Sequence, residues 1–316
     1  MSAKHPIISV TGSSGAGTTT VTQTFNRIFE REKINAAIIE GDAFHRYSRN
    51  EMKEAMATAA AEGDNNFSHF GPKANLFDEI ENTFRLYSET GKTRSRYYIH
   101  NDEEGELHNT PSGEFTDWFE TGEGSDLLLY EGLHGAVKTG DVDMAQYADL
   151  KIGVVPVINL EWIQKIHRDR SARGYSTEAV TDTILRRMPD YLDYICPQFT
   201  QTDINFQRVP TVDTSNPAVA RWVPTPDESI VVIRFANPRG IDFSYLIPTT
   251  GGARNPLQGT LRFSINFSLD AFSSNQTDEE AAKANEARDS KKKKKKKKTS
   301  DSSDKKGSDS KDKSSN

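Results

Sequence analysis

A short apolar run, Pro6-Ile7-Ile8-Ser9-Val10, leads into the string G-S-S-G-A-G-T-T at 12–19, and a helix-forming stretch follows at once. No other feature constrains the chain as tightly. Glycines at a strand-to-helix turn let successive backbone N–H groups point inward, and the helix N-terminus adds a field that favours anions. The phosphate-loop pattern G-x-x-x-x-G-K-[ST] is met at Gly12, Gly17 and Thr19, with Thr18 standing where lysine is expected. We read Gly12, Ser13, Ser14, Gly15, Ala16, Gly17, Thr18, Thr19 and Thr20 as a cradle for the phosphates of ATP. The Thr19 hydroxyl is placed to ligate Mg²⁺. The competing reading is an ordinary Gly/Ser turn of an α/β protein, and the three glycines in a strand–helix context weigh against it.

Apolar strand-like runs alternate with helical stretches along the chain, the pattern of a mostly parallel sheet flanked by helices. The periodicity predicts strands over 6–10, 36–40, 94–100, 127–130, 150–157, 210–213 and 230–235. It predicts helices over 18–31, 52–62, 76–88, 159–173 and 177–188. Weak alternation after 246 leaves 247–276 without a clear pattern.

Two strand ends carry acids. Glu40-Gly41-Asp42-Ala43-Phe44-His45-Arg46 follows the second predicted strand. Ligands of open parallel sheets bind beyond the carboxyl ends of the strands. Asp42 is therefore positioned to accept the proton of a substrate hydroxyl as it attacks a phosphoryl group. His45, Arg46 and Arg49 could hold an anionic substrate beside it; the competing reading of Asp42 is a turn or helix cap. Leu127-Leu128-Leu129-Tyr130-Glu131-Gly132 is an apolar strand ending in an acid, which suits Glu131 to Mg²⁺ placement.

The densest cluster of charge is Lys165-Ile166-His167-Arg168-Asp169-Arg170-Ser171-Ala172-Arg173, with Arg186-Arg187 beyond it. Helical spacing puts Lys165, Arg168 and Asp169 on one face. Such a run is usually a solvated, salt-bridged surface. Here cations outnumber acids inside an acidic body, which favours a lid that supplies cations to a transferring phosphoryl group.

That body is the reason to split the composition. The chain has 316 residues and a formal net charge of −6. Residues 278–316, which include an unbroken lysine run at 291–298, carry +5, so 1–277 carry −11. An acidic body argues against nucleic acid as the main partner. The Lys/Ser/Asp-rich tail at 277–316 cannot bury enough apolar surface to offset its ordering entropy, so it is expected to be disordered. Cys196 is the only cysteine, which excludes an intrachain disulfide. No signal-like N-terminus or long apolar span is present, so we expect a cytoplasmic protein without membrane partners.

Taken together, these strings resemble the phosphoribulokinases, of the bacterial rather than the chloroplast type. The resemblance covers about His5 to Leu246. It rests on G-S-S-G-A-G-T-T at Gly12, E-G-D-A-F-H-R at Glu40, Y-E-G-L-H-G at Tyr130 and V-I-N-L-E-W-I-Q-K-I-H-R-D-R at Val157. Q-T-D-I-N-F-Q-R at Gln201, V-D-T-S-N-P at Val212 and N-P-R-G-I-D-F at Asn237 extend it. It implies a P-loop kinase fold of the nucleoside-monophosphate-kinase type over 1–246, and phosphorylation of D-ribulose 5-phosphate. It also implies Asp42 as base, Lys165, Arg168 and Asp169 in phosphoryl transfer and charge placement, and Thr19 and Glu131 at the metal. His45, Arg49, Tyr98, His100, Arg168 and Arg173 match sugar-phosphate contacts. Members of this type are oligomeric, activated by NADH and inhibited by AMP, with Arg187 and Arg234 as candidates for that circuit. The N-terminal cysteine pair of the chloroplast type is absent, so thioredoxin control is not expected.

Two rivals follow from the same residues. A related kinase acting on uridine or pantothenate shares the loop, but His45, Arg49, Arg168 and Arg173 suit a phosphorylated substrate better. A non-catalytic nucleotide-binding regulator is the reading that Thr18 suggests.

Overall fold

The computed structural model describes residues 4–239, the side chains of Ala172 and Arg173 excepted. The end of the predicted kinase domain, the divergent segment 247–276 and the tail 277–316 lie outside the described residues.

The chain opens with β1 (Ile7–Gly12), α1 (Thr18–Glu32), β2 (Ala36–Glu40), α2 (Arg49–Ala61) and α3 (Phe77–Thr90). Next come β3 (Thr93–Ser95), α4 (Asp102–His108), β4 (Phe119–Thr121), β5 (Leu127–Gly132) and β6 (Leu150–Val154). The last elements are α5 (Ile158–Arg173), α6 (Thr177–Asp190), β7 (Ile204–Pro210) and β8 (Ser229–Phe235). Six strands form one sheet in the order β2-β5-β1-β6-β7-β8. All its pairs are parallel except β7 with β8. β3 and β4 form a small antiparallel ribbon apart from it.

The two faces of this sheet are legible in the side-chain alternation of its central strands. Ile7, Leu128 and Tyr130 face one core with Ile39, Ile80, Phe84 and Tyr87 of β2 and α3. Val10, Leu127 and Leu129 face the other, where Phe29 of α1 and Ile152 of β6 join them. Both faces are covered, so β5 begins with four buried residues in succession, as in a strand sandwiched between helices. This is the mostly parallel, helix-flanked architecture expected from the sequence.

Three expected strands change. The run at 94–100 pairs only through Ser95, because Arg96 leaves the ladder to donate to the carbonyls of Ala43 and His45 at 2.7 Å each. Tyr98 keeps an isolated bridge to Phe115. β6 stops at Val154, two residues before Pro156, which has no N–H to extend a ladder. The strand placed at 210–213 is displaced: β7 begins at Ile204 and ends at Pro210 for the same reason. The polar insertion after His100 holds α4, begun by Asn101, whose side chain accepts from the Glu104 N–H.

Candidate active site

Register brings the functional strand ends level. Gly12 of β1 stands beside Val154, Val10 beside Glu131, and Glu131 beside Glu40. The loop after β1, the turn after β2 and the end of β5 therefore open on one edge of the sheet, at the carboxyl ends where ligands bind.

The loop is built for close approach. Gly15 and Gly17 have φ of 103° and 99°, a region closed to most side chains. A Cβ at Gly15 would also press on the Glu161 carbonyl at 3.2 Å and on the Lys165 Cβ at 3.3 Å. Beside Gly17, by contrast, there is open space, and no side chain caps the α1 N-terminus. An uncapped helix N-terminus beside open space suits phosphate. Ser14 accepts a hydrogen bond from the Arg168 guanidinium at 3.0 Å. Thr18 bonds Glu131, while Thr19 and Thr20 are exposed.

Asp42 lies in a single 3₁₀ turn, Gly41–Phe44, directly after β2. Its carboxylate faces His45 Nε2 at 3.2 Å and His100 Nε2 at 3.6 Å. Burial works to raise its pKa, but His45, then His100 and His69, more than offset that and hold it well below the ordinary carboxylate range. An ionised carboxylate at this position can receive a hydroxyl proton. Arg49 opens α2 and donates to the His100 carbonyl at 2.8 Å, which keeps it at the same edge. Tyr98 packs edge-on to His100 and His45, with ring centroids 5.0 Å and 6.3 Å away.

Glu131 is the acid of β5. Burial pushes its pKa up to about 7, against the Thr18 hydrogen bond that lowers it. A buried carboxylate at that value gains most from a cation nearby. No cluster of three or more acidic, His or Cys ligands that could hold a metal exists among the described residues. Mg²⁺ ordinarily needs none, because it keeps phosphate and water ligands and takes one or two from protein. The open cradle and the buried Glu131 therefore fit ATP with Mg²⁺.

The charged helix is the largest revision. Lys165 and Asp169 are only 5% and 4% exposed, and Lys165 Nζ donates to Asp169 Oδ2 at 2.6 Å. They are not on a solvated surface but packed against the phosphate loop at Gly15. Ile163 and Ile166 hold α5 down, and Ile166 packs with Val180 and Ile184 of α6. Burial, with Arg187 adding repulsion, brings the Lys165 pKa down to about 8 although Asp169 pulls it up. Arg168 Nε adds a second donor to Asp169 at 3.0 Å.

The remaining expected residues scatter. Arg173 ends α5. Arg187 of α6 stands over the Phe70 ring at 5.2 Å and opposes positive charge on Lys165, His45 and His69. Arg234 is exposed on β8, the strand at the far edge of the sheet. Three contributors were missed. Glu161 is buried under the loop against Ser13 and Tyr191, with its pKa pushed by burial up to about 7. Arg96 clamps the Asp42 turn from behind. Asn75 holds His45. Glu161 lay inside a quoted string; the other two had no sequence signal, since only the fold brings them to the turn.

Residues 7–215 match the sequence profile of the phosphoribulokinase/uridine kinase family. The chain belongs to this family. It is 70% identical over 244 residues to the phosphoribulokinase of Nitrobacter vulgaris, covering 77% of this chain and 84% of that one. Its identity to the phosphoribulokinase of Xanthobacter flavus is 66% over 247 residues, 78% of this chain and 85% of that one. The solved phosphoribulokinase of Rhodobacter spheroides is 61% identical with a TM-score of 0.71, over 79% of this chain and 86% of that one. These matches bear out the P-loop kinase fold and the likeness to bacterial phosphoribulokinases. The chain is a kinase that uses ATP as phosphoryl donor to an alcohol.

Proposed function

We propose that this chain transfers the γ-phosphoryl group of ATP to the C1 hydroxyl of D-ribulose 5-phosphate, giving D-ribulose 1,5-bisphosphate and ADP. The observation that carries this reading is Asp42, held ionised between His45 and His100 at the strand end beside the phosphate loop.

Asp42 takes the hydroxyl proton as the substrate oxygen attacks. Bound ATP with Mg²⁺ supplies the electrophilic phosphoryl group and part of its charge neutralisation. Thr19 and Glu131 hold the metal. Amides of the 12–20 loop hold the phosphates, and Lys165 provides the cation that Thr18 cannot. Asp169 and Arg168 set the position of Lys165 and of the loop through the 2.6 Å and 3.0 Å contacts described above. His45, Arg49, Tyr98, His100, Arg168 and Arg173 bind the sugar phosphate, a set whose positive charge suits a phosphorylated acceptor over a neutral nucleoside.

The finer assignments belong to the same proposal. The kinase domain runs over 1–246. The enzyme is a cytoplasmic homo-oligomer with no nucleic-acid or membrane partner, activated by NADH and inhibited by AMP through a circuit that includes Arg187 and Arg234. Arg187 suits this role because it already bears on Lys165 and His45. Among the described residues no helix is long and apolar enough to cross a membrane.

ADP release measured side by side with ribulose 5-phosphate, uridine and pantothenate tests the acceptor. Turnover with the first alone is expected; background release with it and turnover with either of the others refutes the proposal.

A further inference from the structure

His45 is held from both sides. Its Nε2 faces the Asp42 carboxylate at 3.2 Å, and its Nδ1 lies 2.8 Å from the Asn75 amide oxygen. Asn75 is 1% exposed, and its backbone forms an isolated antiparallel bridge with His45. Which amide atom faces the ring is settled by the other end of the side chain. Asn75 Nδ2 donates to the carbonyls of His69 and Gly71 at 2.7 Å each. Carbonyls only accept, so the amide cannot be turned over without losing both bonds. Its oxygen therefore faces His45, and Nδ1 must carry a proton.

We propose that Asn75 is a positioning residue of the acceptor site: by fixing the proton of His45 on Nδ1, it forces any second proton onto Nε2, against Asp42. Its consequence for turnover rests on Asp42 being the base. A neutral His45 in this lock would aim the Nε2 lone pair at a carboxylate oxygen, which is repulsive. The imidazolium instead donates from both nitrogens. The site thus keeps a cation beside its base, where it holds Asp42 ionised and attracts an anionic sugar phosphate.

Other groups bear on the same ring. The His69 ring is 4.5 Å away, centroid to centroid, and the Tyr98 ring stands edge-on at 6.3 Å. Arg187 opposes a charge on His45, as does burial, while Asp42 and the bonds to Asp42 and Asn75 favour it. His69 is kept neutral by burial first and then by repulsion from His45 and Arg187. Buried His134 donates from Nε2 to the Phe70 carbonyl at 2.9 Å and is also pushed towards neutrality by burial. His100 faces Asp42 rather than His45. The balance of these groups raises the His45 pKa, so the lock acts where the charge is useful.

The lock is read directly from ring-nitrogen NMR of full-length, histidine-labelled enzyme without substrate, so the result decides it whether or not Asp42 is the base. In the parent, Nδ1 stays protonated throughout the titration and only Nε2 titrates. A resting neutral His45 with its proton on Nε2 overturns the proposal. Two variants then separate the lock from simple bracing of the 69–75 loop. Asn75→Asp keeps an acceptor for Nδ1 but gives up both donors to the loop, whereas Asn75→Ala gives up everything. Losing one hydrogen bond to the charged ring is expected to move the alkaline limb of kcat/KM down by about one pH unit in Asn75→Ala. Asn75→Asp keeps that limb in place or moves it up. Equal impairment of both variants with the parental pH profile means that Asn75 only braces the loop, and the proposal fails.

Discussion

Asp169→Asn isolates the electrostatics beneath the loop. In the native site the Asp169 carboxylate accepts from Lys165 Nζ at 2.6 Å and from Arg168 Nε at 3.0 Å, with both Lys165 and Asp169 nearly sealed from solvent. The substitution keeps shape and removes the carboxylate charge that Lys165 and Arg168 both bond. A unit charge at about 4 Å is worth about 4 kcal/mol at an effective dielectric constant of about 20. That is ample to carry the Lys165 midpoint from about 8 to well below neutrality. At pH 7.5 the variant should therefore lose the ammonium as well as the carboxylate, and kcat should fall at least about a hundredfold. Lowering the pH reprotonates Lys165, and Asp42 stays ionised because its pKa is held low, so part of the lost rate should return near pH 6. Stability moves in a matching sense. A lysine whose folded pKa is depressed penalises the fold as pH falls below its unfolded value; parent and variant share that penalty down to about 8, where the parent's saturates, so the variant's melting-temperature deficit should grow as pH falls below about 8. The assays are a pH series of kcat by coupled ADP release and a pH series of thermal melts. Parental kcat at pH 7.5 with an unchanged pH profile would refute this reasoning.

Two other carboxylates give predictions of opposite kinds. Glu131 titrates near 7 because it is buried, so apparent Mg²⁺ affinity in the ATP reaction should weaken as pH falls through 7, and Glu131→Gln should lose about tenfold or more with little remaining pH dependence. An unaltered Mg²⁺ requirement in that variant removes Glu131 from the metal. Glu161, raised to about 7 by burial, ionises at a cost to the folded state, so parental stability is lost as pH rises from about 4.5 through 7. Glu161→Gln should accordingly gain on the parent in thermal melts between pH 5 and pH 8, and a constant difference over that range would contradict it.

The parts legible in the sequence were those set by local pattern. Glycine spacing located the loop, and short apolar runs located β1, β2 and β5 together with the acids that end β2 and β5. Helical spacing placed Lys165 and Asp169 on one face, and they pair there. What the pattern could not say was which way that face points. Charged residues at helical spacing look alike on a surface and under a loop, and only the packing of Ile163 and Ile166 decides for burial. Asn75 and Arg96 were illegible for a related reason: each acts through a bond to a residue at least 30 positions away in sequence. The strand predicted at 94–100 failed at Arg96, where a side-chain clamp on the Asp42 turn displaced the ladder bond that local propensity favours.

The proposed reaction depends on Asp42 receiving the hydroxyl proton. The direct test is Asp42→Asn, with single-turnover phosphorylation of ribulose 5-phosphate and ATP binding measured on the same preparation. We expect turnover to fall at least about a hundredfold with ATP affinity kept within about twofold. Parental turnover in a variant that binds ATP normally would contradict the account.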